Sequence, residues 1–250
     1  MEILITNDDG IDSPGIAALA HALAPLGNIV VIAPDRQQSA VGHALTVSAP
    51  LRATPFQRDG ERFGYAINGT PADCVKLGIS TLLGKKPDLV VSGINHGANT
   101  SVNVMYSGTV SAATEAMLMG IPALAVSLTS FDLNADMSAA ARYAAIIAEK
   151  LLSLDMPPDT LLNMNVPAIP ADQIKGLLYT RLSNSYWQDS YDKRFDPMGR
   201  PYYWIVGSFM APEKEDIATD DGAVQNGYVS VTPIHYDLTN RKFLEKLQNL

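Results

Sequence analysis

The most constraining feature of the sequence is the spacing of its first two apolar runs. Ile3-Leu4-Ile5 is short and continuous, and so is Ile29-Val30-Val31-Ile32-Ala33. Between them Ile16, Leu19, Ala20, Leu23 and Leu26 recur at helical intervals, behind the start signal Ser13-Pro14 and ahead of the stop signal Gly27. Runs without polar alternation are buried on both faces, which is the condition of a strand in a parallel sheet. Strand, helix and strand then form a crossover, right-handed by the usual twist, in which both strands run the same way. Their carboxyl ends share one edge, and open sheets of this kind take ligands at that edge.

That edge is acidic. The first run breaks off into Asn7-Asp8-Asp9-Gly10, and Gly10 lets the backbone turn so that both carboxylates reach the space above the sheet. Two carboxylates 4 Å apart near a protein surface repel by about 4 kcal/mol, and a divalent cation reverses that sign. A plain polar turn between strand and helix explains the same four residues without any function. The rest of the chain has to decide.

The alternation continues. Thr70-Pro71 opens a helix through Leu83, and Asp88 to Ser92 is a third buried strand leading into Gly93-Ile94-Asn95-His96-Gly97-Ala98-Asn99. Ser107-Gly108-Thr109 opens a helix over 110–119, followed by a strand over 123–128, a helix over 137–152 and a strand over 161–166. Between 40 and 67, β-prone pieces at 44–47, 51–53 and 62–67 predict an antiparallel excursion with a hairpin at Asp59-Gly60. Beyond Pro167 the alternation weakens to strands over 176–182, 202–210 and 228–234, and an amphipathic helix carrying Phe243, Leu244, Leu247 and Leu250. Tyr202-Tyr203-Trp204-Ile205-Val206 is apolar on both faces, which suits a strand that packs on another subunit. The expected fold class is α/β. A Rossmann-like, mostly parallel sheet with helices on both faces occupies 1–166, and a β-rich C-terminal extension used in oligomerisation occupies 167–250.

The 250 residues are 47% hydrophobic and 18% charged, enough for a large core. No apolar stretch is long enough for a membrane span and no signal region opens the chain, so the expected location is cytoplasmic with no membrane partner. The net charge of −8, with no basic run beyond Lys85-Lys86 and Lys193-Arg194, excludes broad nucleic-acid binding. The single cysteine, Cys74, rules out an internal disulfide framework and a thiolate zinc site, and is expected to be a small buried side chain. No Gly-x-Gly-x-x-Gly follows the first strand and no Gly-x-x-x-x-Gly-Lys-Ser/Thr occurs, which removes the main support for dinucleotide and P-loop functions.

Three strand ends deliver oxygen-bearing groups to one edge: Asp8 and Asp9, then Ser39, then Asn95 with Asn99 following. Carboxylate, hydroxyl and amide oxygens make a hard site suited to magnesium or manganese rather than zinc. Ser107, Gly108 and Thr109 open a helix and so offer hydroxyls and free N–H groups to an anion. Metal and helix N-terminus together suggest phosphate chemistry, with Asp8 and Asp9 as candidate catalytic groups and metal ligands, Ser39 and Asn95 as further ligands, and Asn99, Ser107, Gly108 and Thr109 as phosphate binders. His43 and His96 are second-line acids. Asp73 suits the dipole of its own helix, and Asp12 suits a loop cap.

These residues resemble the SurE family, the survival-protein-E nucleotidases. The resemblance rests on Thr6-Asn7-Asp8-Asp9-Gly10 with Pro14-Gly15, Ala33-Pro34-Asp35 with Gln38-Ser39, Gly69-Thr70-Pro71-Ala72-Asp73-Cys74, Ser92-Gly93-Ile94-Asn95 with Gly97 and Asn99, and Tyr106-Ser107-Gly108-Thr109-Val110. Asn163-Met164-Asn165 and Val231-Thr232-Pro233 are weaker echoes. It implies a phosphatase acting on nucleoside 5′- and 3′-monophosphates, sometimes on short polyphosphate. It further implies one divalent ion, Mg2+ or Mn2+, held in each subunit by Asp8, Asp9, Ser39 and Asn95, and a homodimer or homotetramer that exchanges C-terminal segments. Two departures stand out: Ala40 and Ser101 occupy loop positions where the family often has glycine. The competing reading from another class is a non-catalytic metal- or nucleotide-binding sensor on the same sheet. An aspartyl-phosphate phosphatase of the haloacid dehalogenase type would want a second Asp where Gly10 stands.

Overall fold

The structure, a computed structural model, describes residues 1–250. β1 (Glu2–Thr6), α1 (Pro14–Leu23) and β2 (Asn28–Pro34) are the crossover read from the spacing. Ser13 caps α1 by accepting from Ile16 N–H, and Pro14 occupies its first turn. A hairpin follows, β3 (Ala53–Arg58) and β4 (Glu61–Ile67) around Asp59-Gly60. Then come α2 (Pro71–Leu77), β5 (Leu89–His96), α3 (Gly108–Leu118), β6 (Ala123–Leu128), α4 (Ser138–Leu151) and β7 (Thr160–Val166). The remainder is β8 (Leu177–Tyr179), β9 (Tyr186–Phe195), β10 (Pro201–Met210), α5 (Asp220–Gln225), β11 (Val229–His235) and α6 (Arg241–Gln248).

Nine strands form one sheet in the order β3-β4-β2-β1-β5-β6-β7-β11-β8. From β4 to β7 all neighbours are parallel, β3 closes one side antiparallel, and β11 joins β7 antiparallel with β8 parallel beyond it. The two-residue period of the strands divides the core. Ile3 and Ile5 pack with Ile16 and Leu19 of α1 and Ile147 of α4 on one face, while Leu4, Ile32 and Val90 meet Val75 of α2 and Ala112 and Ala116 of α3 on the other. Each fully buried aliphatic side chain stabilises the fold by about 1.5–3 kcal/mol. The crossovers β5-α3-β6 and β6-α4-β7 step the same way along the sheet with their helices on opposite faces, so the two have opposite hands.

Local departures from the expected pattern have identifiable causes. Residues 44–47 are not a strand: Thr46 N–H donates to the Asp73 carboxylate at 3.0 and 3.2 Å, and Thr70 Oγ–H donates to Ala44 O at 2.7 Å. Backbone bonds that a ladder would use are taken by the cap of α2. Of 51–53 only Ala53 is in a strand, and β4 pairs parallel with β2, so the excursion widens the main sheet. α2 is regular only to Leu77 and widens into a π-turn over Gly78–Leu82. In the segment 167–250, β8 and β11 lie in the main sheet, whereas β9 and β10 form a separate two-stranded hairpin, paired from Tyr186↔Met210 to Phe195↔Pro201. The sequence reading did not anticipate β9 or α5. No helix is long and apolar enough to cross a membrane.

Candidate active site

Asp8 sits just past the end of β1, 6% exposed, under the first turn of α3. Thr109 Oγ–H donates to Asp8 Oδ1 at 2.5 Å, and a Cβ on Gly108 would stand 2.8 Å from Asp8 Cβ, so only glycine lets the helix come this close. Burial, chiefly, and the neighbouring Asp9 push the Asp8 carboxyl up to about 6, against the pull of the Thr109 bond. Asp9 is also raised, mainly by burial, although the His96 backbone N–H donates to its Oδ2 at 3.1 Å. Neither carboxylate has a Lys or Arg partner among the ion pairs of the chain.

Asn95 stands near the end of β5 and donates its amide N–H to Gly97 O at 2.8 Å, which leaves Oδ1 as its available oxygen. Ser39 lies on an exposed turn after β2. That turn is drawn to the site by Gln38 N–H, which donates to Asp8 O at 2.7 Å. Ser107 is the N-cap of α3, accepting from Val110 N–H at 3.2 Å. Asn99 is held on every side: its N–H donates to Asn165 Oδ1 at 2.8 Å, its carbonyl accepts from Asn163 Nδ2 at 2.7 Å, and its own Nδ2 donates to Ser127 Oγ at 2.8 Å.

The second-line residues fall elsewhere. His43 bonds Glu115 of α3 at 2.9 Å, and Lys76 of α2 meets the other oxygen of the same buried carboxylate, so His43 belongs to a structural ion cluster. The Glu115 carboxyl is lowered, mainly by the His43 bond. Asp73 completes the capping box of α2 with Thr70. Asp12 is exposed, its carboxylate 3.7 Å from the Arg58 guanidinium. Cys74 is buried, as expected, and burial pushes its thiol well up. His96 keeps both ring nitrogens buried without partners and lines, with Asp9, Gly10, Asp12, Asp35 and Arg36, a cavity of about 310 Å³ beside Asp9. A larger cavity of about 550 Å³ lies between α1 and α4 and contains none of the candidate residues.

Sequence reasoning missed the groups that hold the loops. Asn7 Nδ2 donates to Gly10 O at 3.0 Å and Ser13 Oγ at 2.7 Å, fixing the acidic turn against the cap of α1. Asn163 and Asn165 were visible as an i, i+2 pair in an otherwise apolar strand, the one signal that two polar groups share a buried face. The chain has no group of three or more His, Cys, Asp or Glu placed for a metal. A cation at Asp8 and Asp9 therefore needs hydroxyl and amide oxygens to complete its shell, and Ser39 and Asn95 are of that kind.

A family model described as survival protein SurE matches residues 3–189. A protein of Pelobacter propionicus named 5′-nucleotidase SurE is 52% identical over 240 residues, covering 96% of this chain and 95% of the relative. A Geobacter sulfurreducens protein of the same name is 50% identical over 250 residues, covering 100% of this chain and 93% of the relative. The crystal structure of a SurE protein from Aquifex aeolicus matches with a TM-score of 0.86 at 43% identity, covering 100% of this chain and 99% of that one. With a family match that takes in every residue from Asp8 to Thr109, and relatives alike along nearly their whole lengths, the chain belongs to the SurE family.

Proposed function

We propose that the protein is a divalent-metal-dependent phosphatase that hydrolyses nucleoside 5′- and 3′-monophosphates, and short polyphosphate, to release phosphate in the cytoplasm. The observation that carries this reading is the pair Asp8 and Asp9, two adjacent carboxylates raised by burial with no cation of the chain to offset them. Proteins rarely retain such a pair unless a bound ion supplies the missing positive charge. Relatives named 5′-nucleotidase support the substrate class.

Asp8, Asp9, Ser39 and Asn95 would hold one Mg2+ or Mn2+ in each subunit, and that ion supplies Lewis acidity toward a phosphoryl oxygen and lowers the pKa of a water. The chain's own residues prepare the rest. The Thr109 hydroxyl locks Asp8 Oδ1 and leaves Oδ2, and the His96 N–H locks Asp9 Oδ2 and leaves Oδ1. The first turn of α3 presents the N–H groups of Gly108 and Thr109, which have no helical partners, beside the Ser107 hydroxyl, where charge develops on the phosphoryl oxygens. Asn99 gives one amide hydrogen to Ser127 and keeps its second for the phosphate. The cavity of about 310 Å³ beside Asp9 would take the leaving nucleoside, with Asp12, Asp35 and Arg36 along its lining suited to sugar hydroxyls.

The reading extends to a homodimer or homotetramer with exchanged C-terminal segments, supported by the exposed apolar side chains of β9, β10 and α6. To test the activity, metal-stripped protein is reloaded with manganese or magnesium and given 5′- and 3′-monophosphates and tripolyphosphate. Phosphate release from the 5′-monophosphates is expected, and Asp9→Asn should lower turnover by about 100-fold or more. No release from any nucleoside monophosphate overturns the proposal, and calorimetric nucleotide binding without turnover would make the protein a sensor instead.

A further inference from the structure

The segment after β5, from Asn99 to Tyr106, touches two distant parts of the molecule. On one side is the candidate site: Asn99 is clamped by Asn163, Asn165 and Ser127, and Tyr106 O accepts from Gly42 N–H at 3.0 Å in the loop just past Ser39. On the other side is the root of the β9–β10 hairpin. Ser101 N–H donates to Asp220 Oδ2 at 2.8 Å, and Ser183 N–H, just before β9, donates to Asp220 Oδ1 at 2.8 Å. One carboxylate thus bridges the active-site loop and the hairpin root.

Two more contacts reinforce that bridge. Ser101 Oγ lies 2.9 and 2.7 Å from the carbonyl oxygens of Ser183 and Ser185, and Trp187 Nε1–H of β9 donates to Asn103 Oδ1 at 2.7 Å. Asp220 is 0% exposed and forms no ion pair, its charge held by the N–H groups of Ser101, Ser183 and, at 2.9 Å, Asp221. An apolar side chain would fill such a place with less desolvation if packing were all it did. Ser101 has a φ of 50°, a conformation a serine loop disfavours by itself, so these bonds hold the loop where it would not otherwise rest.

We propose that Asp220 is a positioning residue for the phosphatase site: its carboxylate ties the β9–β10 hairpin root to the Asn99–Ser101 loop, so that the placement of the hairpin sets the geometry of that loop. The inference rests on the proposed activity only for its kinetic readout. In Asp220→Asn the shape is kept, but the new amide nitrogen faces either the Ser101 N–H or the N–H groups of Ser183 and Asp221, and the bond on that side is lost. Trp187→Phe removes the donor to Asn103 while retaining an aromatic ring to pack on Phe209, whose ring lies 5.2 Å from that of Trp187.

Full-length, manganese-loaded protein is assayed for kcat and KM on a nucleoside 5′-monophosphate, and hydrogen exchange is followed over residues 99–106. Asp220→Asn should lower kcat by about 10-fold or more and Trp187→Phe by about 2- to 5-fold, with KM changing less, because small displacements of positioning groups are amplified in the rate. Exchange over 99–106 should quicken in both. If kcat and exchange stay at wild-type values, or only the melting temperature falls, Asp220 is merely structural and the proposal is overturned. Should Asp220→Asn not fold, Trp187→Phe decides by the same criteria. A wild-type protein that releases no phosphate sinks the parent reading alone, and the exchange rates then decide the coupling.

Discussion

Asp8 is 6% exposed, next to Asp9 and beneath the first turn of α3, and its carboxyl is pushed up to about 6, chiefly by burial. Since the folded value lies above the usual 3.8, folding favours the protonated form. The penalty is absent below the unfolded value, grows as pH rises from 3.8 to about 6, and reaches roughly 3 kcal/mol at neutral pH in the metal-free protein. A bound cation reverses this balance. Asp8→Asn should therefore raise the stability of the metal-free protein at pH 7 by about 1–3 kcal/mol in thermal unfolding while removing measurable manganese binding. In the wild type, manganese affinity should fall up to about tenfold per pH unit below about 6, where a proton competes for Asp8. A metal-free Asp8→Asn protein less stable than wild type, or an affinity flat between pH 5 and 7, would sink the assignment. At this scale the candidate donors were legible, because Asp8, Asp9, Ser39 and Asn95 carry oxygen in their side chains and stand at or just past strand ends. Their orienting partners were not. Thr109 stands 101 positions from Asp8, and Asp220 stands 119 from Ser101, and no local pattern links such pairs.

Among the loops, Ala40 and Ser101 are two of only three non-glycine residues with positive φ, at 55° and 50°. They are the positions where the resemblance leads one to expect glycine, and the backbone supplies the reason. A left-handed conformation brings Cβ against the following carbonyl at about 1–2 kcal/mol, offset in part by the roughly 0.5–1 kcal/mol of unfolded-state entropy that glycine adds. Ala40→Gly should thus stabilise the protein by about 0.5–1 kcal/mol in urea unfolding, and a clear loss of stability would contradict the left-handed turn. Ser101→Gly would gain less, since the serine hydroxyl bonds the hairpin root. The regular elements of the core were legible because caps and apolar periods coincide: Ser13-Pro14 with α1, Thr70-Pro71 with α2, Ser107 with α3. β9 was hidden for the opposite reason. Tyr186 to Phe195 packs on no core, so polar and aromatic residues mix along it without a buried face to impose order.

For the whole molecule the surface without an intrachain covering layer is the C-terminal part. Trp204 and Ile205 of β10 are 58% and 63% exposed, and none of the eight residues of α6 is buried although Phe243, Leu244 and Leu247 line it. An eight-residue helix does not hold in water by itself, and a lone two-stranded hairpin is at best marginal, so both want a covering surface. Light scattering after gel filtration should give a multiple of 26.8 kDa, and charge at the hairpin, Trp204→Glu with Ile205→Lys, should shift the protein toward that single-chain mass. A wild type that runs at 26.8 kDa at micromolar concentration excludes the exchanged assembly. The sequence by itself determined the parallel sheet and the edge to which its strands run, because strand burial, helix caps and turn residues act over a few positions and leave their marks in local order. Tertiary structure alone decided the hand of the β6-α4-β7 crossover, the return of β11 and β8 to the main sheet, and the carboxylate of Asp220 between loop and hairpin. Those depend on which surfaces and hydrogen-bonding groups meet across a hundred residues, where the energy lies in the pairing and not in either partner alone.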